Sequence, residues 1–398
     1  MRLDRGLLAA ILAVVISIGA DAPRAQVQPV PLKALTMTSE PGPRVFQSEH
    51  SGRFNGKLVR YTTELAETII HDATGRRIAS LFSCAYVANK AAANRPVIFA
   101  FNGGPGFSSS FINFNALGPE ILTRDLNEGV ASLPLVDNPL SPLDVADVVF
   151  PDPVDTGYSY NLSESSKSQF YSIDGDSEAM SQQVINWLRT HDRLSSPVYI
   201  IGESYGTMRA VAMARDLARS APKVKVAGIM LAGNSLSYKQ RGQMPDLLFR
   251  ANALPMMASL AWYHGRIDNK GQTWTQAVEK ARVFARGLYI SALMMGYRLD
   301  DKTREDIVRQ LPALIGIPES YFREHRTILV ADFKGELLRD KGLVLDGDDG
   351  RITFPADKPG GRNIELYRRA MEGYVAELGV SGLGGYNALN VTLNPRWN

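Results

Sequence analysis

Two short glycine-bearing strings carry the chemistry available to this chain. Gly202-Glu203-Ser204-Tyr205-Gly206 spells G-x-S-x-G. That spelling fits a sharp strand-to-helix turn, whose glycines let the chain double back and the next helix pack closely beneath a raised serine. The helix N-terminus behind Ser204 favours developing negative charge. A serine hydroxyl is a useful nucleophile only when a base takes its proton. The string alone also reads as an ordinary turn serine, so its surroundings decide. The second string, Asn102-Gly103-Gly104-Pro105-Gly106, follows the apolar run Pro96 to Phe101. Glycines there let backbone N–H groups approach a substrate oxygen, and with the Tyr205 amide they could form an oxyanion hole. A phosphate-cradling loop would want a Lys-Ser/Thr pair behind the glycines. Phe107-Ser108-Ser109 stands there instead.

Holding both strings requires a parallel sheet covered by helices. Leu58 to Val87 reads as strands joined by turns, with Asp72-Ala73-Thr74-Gly75 as a hairpin tip. Pro96 to Phe101 and Val145 to Phe150 are short apolar runs of the kind buried on both faces. Ser177 to Thr190 and Thr207 to Arg219 have helical spacing, and Val198 to Ile201 and Val226 to Leu231 read as the strands around them. Ser204 falls on the turn between strand and second helix. After Ser235 the rhythm changes to helices: Met244 to Tyr263, Thr275 to Gly296 and Lys302 to Leu314. Leu343 to Pro359 reads as loop and Glu365 to Leu378 as helix. A run of helices after strand–helix units predicts an insertion over the sheet's carboxyl edge.

The totals set bounds. The chain has 398 residues, 45% apolar and 21% charged, with a net charge of +3 and no long basic block. A soluble globular protein follows, with no nucleic-acid or anionic-membrane partner implied. Arg2 and Arg5, the apolar run Leu7 to Ile18, and small-residue sites at Ala20-Asp21-Ala22 and Ala25 read as an export signal. That predicts a periplasmic or secreted protein with no membrane anchor after cleavage. The single cysteine, Cys84, sits in an apolar strand-like run and reads as a buried small hydrophobe. No cluster has metal-ligand spacing, and no metal or organic cofactor is implied.

Taken together, the two strings resemble the serine carboxypeptidase family of α/β-hydrolases. The resemblance rests on Asn102 to Ser109, on Asp152-Pro153-Val154-Asp155-Thr156-Gly157-Tyr158-Ser159 and on Gly202 to Tyr205, in that order. It is strong over 94–234 and continues weakly through Ala261-Trp262-Tyr263-His264-Gly265, which looks like bacterial members. It implies an α/β-hydrolase fold with a helical cap, and release of a C-terminal residue from peptides through an acyl-enzyme. Ser204 would be the nucleophile. Gly104 and Tyr205 would supply oxyanion N–H groups. Asn102, Gly103 and Glu203 would hold the substrate's terminal carboxylate. A glutamate beside a bound carboxylate donates only when protonated, since two close like charges cannot both ionise. Three positions depart from the family pattern: Phe107 replaces a cysteine, Asp155 a glycine, and Ala116 an acid supporting the carboxylate site.

The base is the open question. In this family the acid and then the histidine follow the serine along the chain. Only His264 and His325 follow Ser204, and neither follows a late sheet strand; His50, His71 and His191 precede it. The expectation is a family member lacking its last strands and, with them, the triad Asp and His. Its divisions would be a signal at 1–25, the hydrolase core at 26–235, a cap at 236–361 and the start of a return to the core at 362–398. The loss predicts an exposed sheet edge. The same machinery also suits an esterase or acyltransferase, and a non-catalytic peptide-binding remnant is the reading from another class. Oligomeric state is not legible.

Overall fold

In the computed structural model of the chain, the structure describes residues 43–89, 92, 94–124, 131–163, 167–233, 235, 247–325, 327–347, 349–358, 364–393 and 396–397. The predicted export signal lies outside the described residues, as do 234, 236–246 and 359–363 at the two ends of the predicted cap.

Three long antiparallel strands open the sheet: β1 (Val45–Phe54), β2 (Lys57–His71) and β3 (Arg77–Ala88). The sequence reading omitted β1. Its signal is Asn55-Gly56, the tight hairpin pair, and both residues have positive φ, 47° and 82°. At the β2–β3 tip, the Asp72 carboxylate accepts from the Thr74 and Arg76 amides. The parallel half comprises β4 (Val97–Phe101), β7 (Asp147–Pro151), β9 (Pro197–Glu203) and β10 (Lys225–Ala232). A separate hairpin, β5 (Glu120–Arg124) with β6 (Ala131–Asp137), lies between β4 and β7 in sequence, and the two-residue β8 (Tyr160–Asn161) pairs with β3. Spatial order is β1-β2-β3-β7-β4-β9-β10. The alternation of strand order around β4 and β7, with the serine turn after β9, is the α/β-hydrolase fold.

Helices α1 (Ile173–Thr190) and α2 (Gly206–Ser220) cover one face. Phe99, Phe101, Val149, Val198 and Ile200 meet Met180, Val184, Trp187, Met213 and Leu217 there. Helix α1 starts four residues earlier than the apolar spacing suggested, because the Ser172 hydroxyl caps it by accepting from the Gly175 amide. The second core comes from α3 (Leu247–Tyr263), α4 (Trp274–Phe284), α5 (Asp301–Ile315) and short helical segments, around Leu254, Met257, Phe284, Tyr289, Leu311 and Phe333. Thr275 to Gly296, read as one helix, is interrupted by a π-helical turn at Ala285–Tyr289. Leu343 to Pro359, read as loop, contains the hairpin β11 (Leu343–Leu345) and β12 (Thr353–Pro355). Its Asp/Gly-rich stretch is only the tip; the flanking apolar triplets pair.

Helix α6 (Ile364–Glu377) covers the other face of the sheet, where Leu366, Tyr367, Met371 and Tyr374 pack with Tyr61, Tyr86 and Phe114. At the opposite end, β10 is the last strand of the described sheet. It exposes Ile229, Leu231 and, at 57%, Met230.

Candidate active site

Strand β9 delivers Gly202 and Glu203 to the carboxyl end of the parallel ladder, and α2 begins three residues later at Gly206. Ser204 turns the chain at φ 56°. That left-handed conformation costs an L-residue about 1–2 kcal/mol. Surrounding bonds hold it: the Ser204 amide donates to the Ala232 carbonyl on β10 at 2.9 Å, and its carbonyl accepts from the Thr207 amide at 2.9 Å and hydroxyl at 2.7 Å. The residue is half-buried.

The Gly-rich string lies against this elbow, backbone to backbone. A methyl on Gly103 would sit 2.4 Å from the Tyr205 nitrogen, and one on Gly202 would sit 2.0 Å from the Gly206 carbonyl oxygen. Only glycine allows either approach. Neither the Gly104 nor the Tyr205 amide donates to another loop carbonyl among the described residues. Asn102 Nδ2 donates to Glu203 Oε2 at 3.1 Å, and Asn102 Oδ1 accepts from the Ile112 amide at 2.7 Å. The structure therefore brings Asn102, Gly103, Glu203, Ser204 and Tyr205 into one cluster from two segments a hundred residues apart.

Two supporting residues escaped the sequence reading. Arg209, fully buried on α2, places Nε 2.7 Å from Asp176 Oδ2 and donates through Nη1 to the Asn102 carbonyl at 2.6 Å. Tyr205 Oη donates to the same Asp176 oxygen at 3.3 Å. The guanidinium lies 5.3 Å from the ring centres of both Phe101 and Tyr205. One cation thus ties the start of the Gly-rich loop to the elbow. Burial pushes the Asp176 carboxyl above its ordinary value in spite of the Arg209 charge. The available signal was an arginine inside the apolar stripe of its helix, four and eight residues before Met213 and Leu217.

The third matching segment supports the first two. Asp155 has φ 60°, so this position does require the left-handed backbone that glycine favours. The aspartate is anchored there: its carboxylate accepts from the Asn161 amide at 3.0 Å and from Tyr171 Oη at 2.5 Å. Asp152 accepts from the Ser109 amide at 2.8 Å and from Tyr386 Oη at 2.9 and 3.1 Å. Burial pushes its carboxyl up to about 7. Phe107 packs edge-on against Phe111, and Ala116 is exposed and brings no acid to the Asn102–Glu203 pair.

Among the described residues, no hydrogen bond joins any of the five histidines to Ser204. His50 bonds the Ser48 hydroxyl and stacks on Tyr61, and His71 is exposed at the end of β2. His191 bonds the Trp187 carbonyl at 2.8 Å and the Glu64 carboxylate at 3.1 Å. His264 bonds the Gly350 carbonyl and His325 the Tyr321 carbonyl. Cys84 is buried and unpaired. Among the described residues, no group of three His, Cys, Asp or Glu side chains is placed to hold a metal, and no helix is long and apolar enough to cross a membrane.

Comparison with known proteins adds independent weight. Serine carboxypeptidase-like 9 of Arabidopsis thaliana is 29% identical over 151 residues, 36% of this chain and 33% of that protein. Serine carboxypeptidase-like 8 of the same plant is 28% identical over 150 residues, 36% of this chain and 34% of that protein. The matched stretch thus spans about a third of the length of these relatives. Among solved structures, Kex1(Δ)p, a prohormone-processing carboxypeptidase from Saccharomyces cerevisiae, aligns over 84% of this chain and 68% of its own with 14% identity and a TM-score of 0.47. The model of the family described as serine carboxypeptidase matches residues 72–286. That span exceeds half of the chain and contains all three motif segments, so the chain belongs to the serine carboxypeptidase family.

Proposed function

We propose that this chain carries the nucleophile and recognition side of a serine-type carboxypeptidase site, acting on the C-termini of peptides or proteins. Ser204 presents the hydroxyl that attacks the scissile carbonyl once a base takes its proton. The amides of Gly104 and Tyr205 receive the oxyanion, where one donor is worth about 3–4 kcal/mol of transition-state stabilisation. Asn102, Gly103 and Glu203 hold the terminal carboxylate. The observation that carries this reading is the strained Ser204 at φ 56° with the Gly-rich loop seated directly against it. The signal-like sequence of residues 1–25 supports action in the periplasm or outside the cell.

A fluorophosphonate probe on the purified chain, with Ser204→Ala as control, tests the nucleophile. Ser204-dependent labelling supports the reading, and equal labelling of parent and variant overturns it. Binding of a peptide with a free C-terminus but not of its amide separates a carboxypeptidase site from an esterase or acyltransferase. A second reading, peptide binding without turnover, is favoured by one observation: among the described residues no histidine bonds Ser204. Peptide turnover that disappears in Ser204→Ala excludes it.

A further inference from the structure

The far end of the chain returns to the site. Beyond α6, residues 386–390 run between the Gly-rich loop and the Asp155 turn. On one side Phe107 and Leu389 form an antiparallel bridge, the Ser108 amide donates to the Ala388 carbonyl at 3.1 Å, and the Asn390 amide donates to the Gly106 carbonyl at 2.8 Å. On the other side Gly157 and Asn387 exchange both backbone bonds, at 2.8 and 3.0 Å. The result is a short three-chain ladder with the 386–390 segment in the middle. Two asparagine amides lock it. Asn387 Nδ2 and Asn390 Nδ2 both donate to the Asp155 carbonyl, at 3.1 and 2.9 Å. Asn390 Oδ1 accepts from the Thr392 amide and hydroxyl, which fixes its rotamer. The segment is pinned at its ends by Tyr386 on Asp152 and by the buried Leu393.

We propose that Asn387 and Asn390 are positioning residues that hold the oxyanion loop in shape. The proposal rests on the reading of Gly104 as an oxyanion donor. Gly104 and Gly106 both have φ 108°, and a loop so rich in glycine has many conformations open to it. An oxyanion hole works only when its donors are fixed before the reaction. Inside the loop one backbone bond, Phe107 amide to Gly103 carbonyl at 3.2 Å, spans Gly104, and the 386–390 segment adds outside support by pairing with Gly106 and Ser108. The approach is close: a methyl on Gly106 would lie 2.5 Å from the Asn390 carbonyl oxygen. Neither asparagine side chain bonds Ser204; both act through the Asp155 turn and the loop.

The test uses the full chain carrying Asn387→Ala and Asn390→Ala together, studied where it is fully folded. Leu254→Ala, in the second core, serves as a control that lowers stability away from the site. Backbone hydrogen exchange is read at Ser108 and Gly157, and the rate of Ser204 labelling by the fluorophosphonate is read in parallel. Exchange at both amides should quicken tenfold or more with α2 unchanged, and labelling should slow about tenfold; Leu254→Ala should alter neither. Unchanged exchange at Ser108 overturns the proposal, as does equal loosening of α2. Selective loosening with undiminished labelling also overturns it. If the parent is not labelled at all, the functional reading fails, while the exchange measurement still decides whether the asparagines hold the loop.

Discussion

The buried Arg209–Asp176 pair allows the sharpest test of how the site is held. Arg209→Met keeps much of the side-chain length and removes the charge. It strips Asp176 of its cation and leaves the Asn102 carbonyl without its donor at 2.6 Å. Removing one partner of a buried ion pair costs about 3–5 kcal/mol, because the other charge stays uncompensated. Both residues lie within the core, so solvent screening offers little relief. Adding Asp176→Leu removes the stranded charge and should restore most of the loss, leaving a residual of about 1–3 kcal/mol for the unpaired Asn102 carbonyl. Urea unfolding followed by tryptophan fluorescence reads this out. Trp262 and Trp274 lie on α3 and α4, so replacing them with phenylalanine leaves Trp187, edge-on to Phe99, and Trp397, edge-on to Tyr205, to report the sheet and its elbow. A loss below about 1 kcal/mol in Arg209→Met, or a double variant no more stable than the single, would refute the reasoning, since a buried pair must show strong coupling.

Four other outcomes are open to measurement. His191 Nδ1 and Nε2 face the Trp187 carbonyl and the Glu64 carboxylate, both acceptors, so the ring is held as imidazolium. Burial alone would raise Glu64 and lower His191, but the bond and charge they exchange move each the other way. The pair is therefore fully stabilising between the ordinary glutamate value of about 4.5 and the ordinary histidine value of about 6.5, and fades as pH falls through the lowered Glu64 value or rises through the raised His191 value; proton NMR of His191 and the flattened profile of His191→Phe check this. Asp152, raised to about 7 by burial, has the opposite sign from a paired carboxylate. Its contribution is present below the ordinary carboxyl value and is lost as pH rises through about 7, roughly 1.4 kcal/mol per unit at most; Asp152→Asn should remove that slope from urea midpoints measured at pH 4 to 8. Gly103→Ala drives a methyl into the elbow backbone and should cut Ser204 labelling more than tenfold with a stability loss of about 1–3 kcal/mol. Ile229→Lys with Leu231→Lys on the exposed β10 edge should leave the fold intact and raise the concentration at which light scattering detects aggregation, if that edge drives association.

The sequence by itself determined much of the local structure. The alternation of apolar strands with 3.6-period helices located β4, β7, β9, β10, α1 and α2, because those periodicities reflect which faces are buried. The G-x-S-x-G and N-G-G-P-G spellings located the turns, because glycine is the residue that tolerates such close backbone approach. Asp155 raised the question of positive φ, and the structure answered it. Only the tertiary structure decided how these pieces meet. The Asn102–Glu203 bond, the Arg209 tie and the ladder made by residues 386–390 each join positions far apart in the chain. Such contacts leave no periodic signature; an asparagine that bonds a distant carbonyl looks like any loop asparagine. The partners of the five histidine rings are likewise invisible in chain order; among the described residues none hydrogen-bonds Ser204. Local propensity fixed the shape of each turn, and long-range backbone pairing fixed which turns face one another.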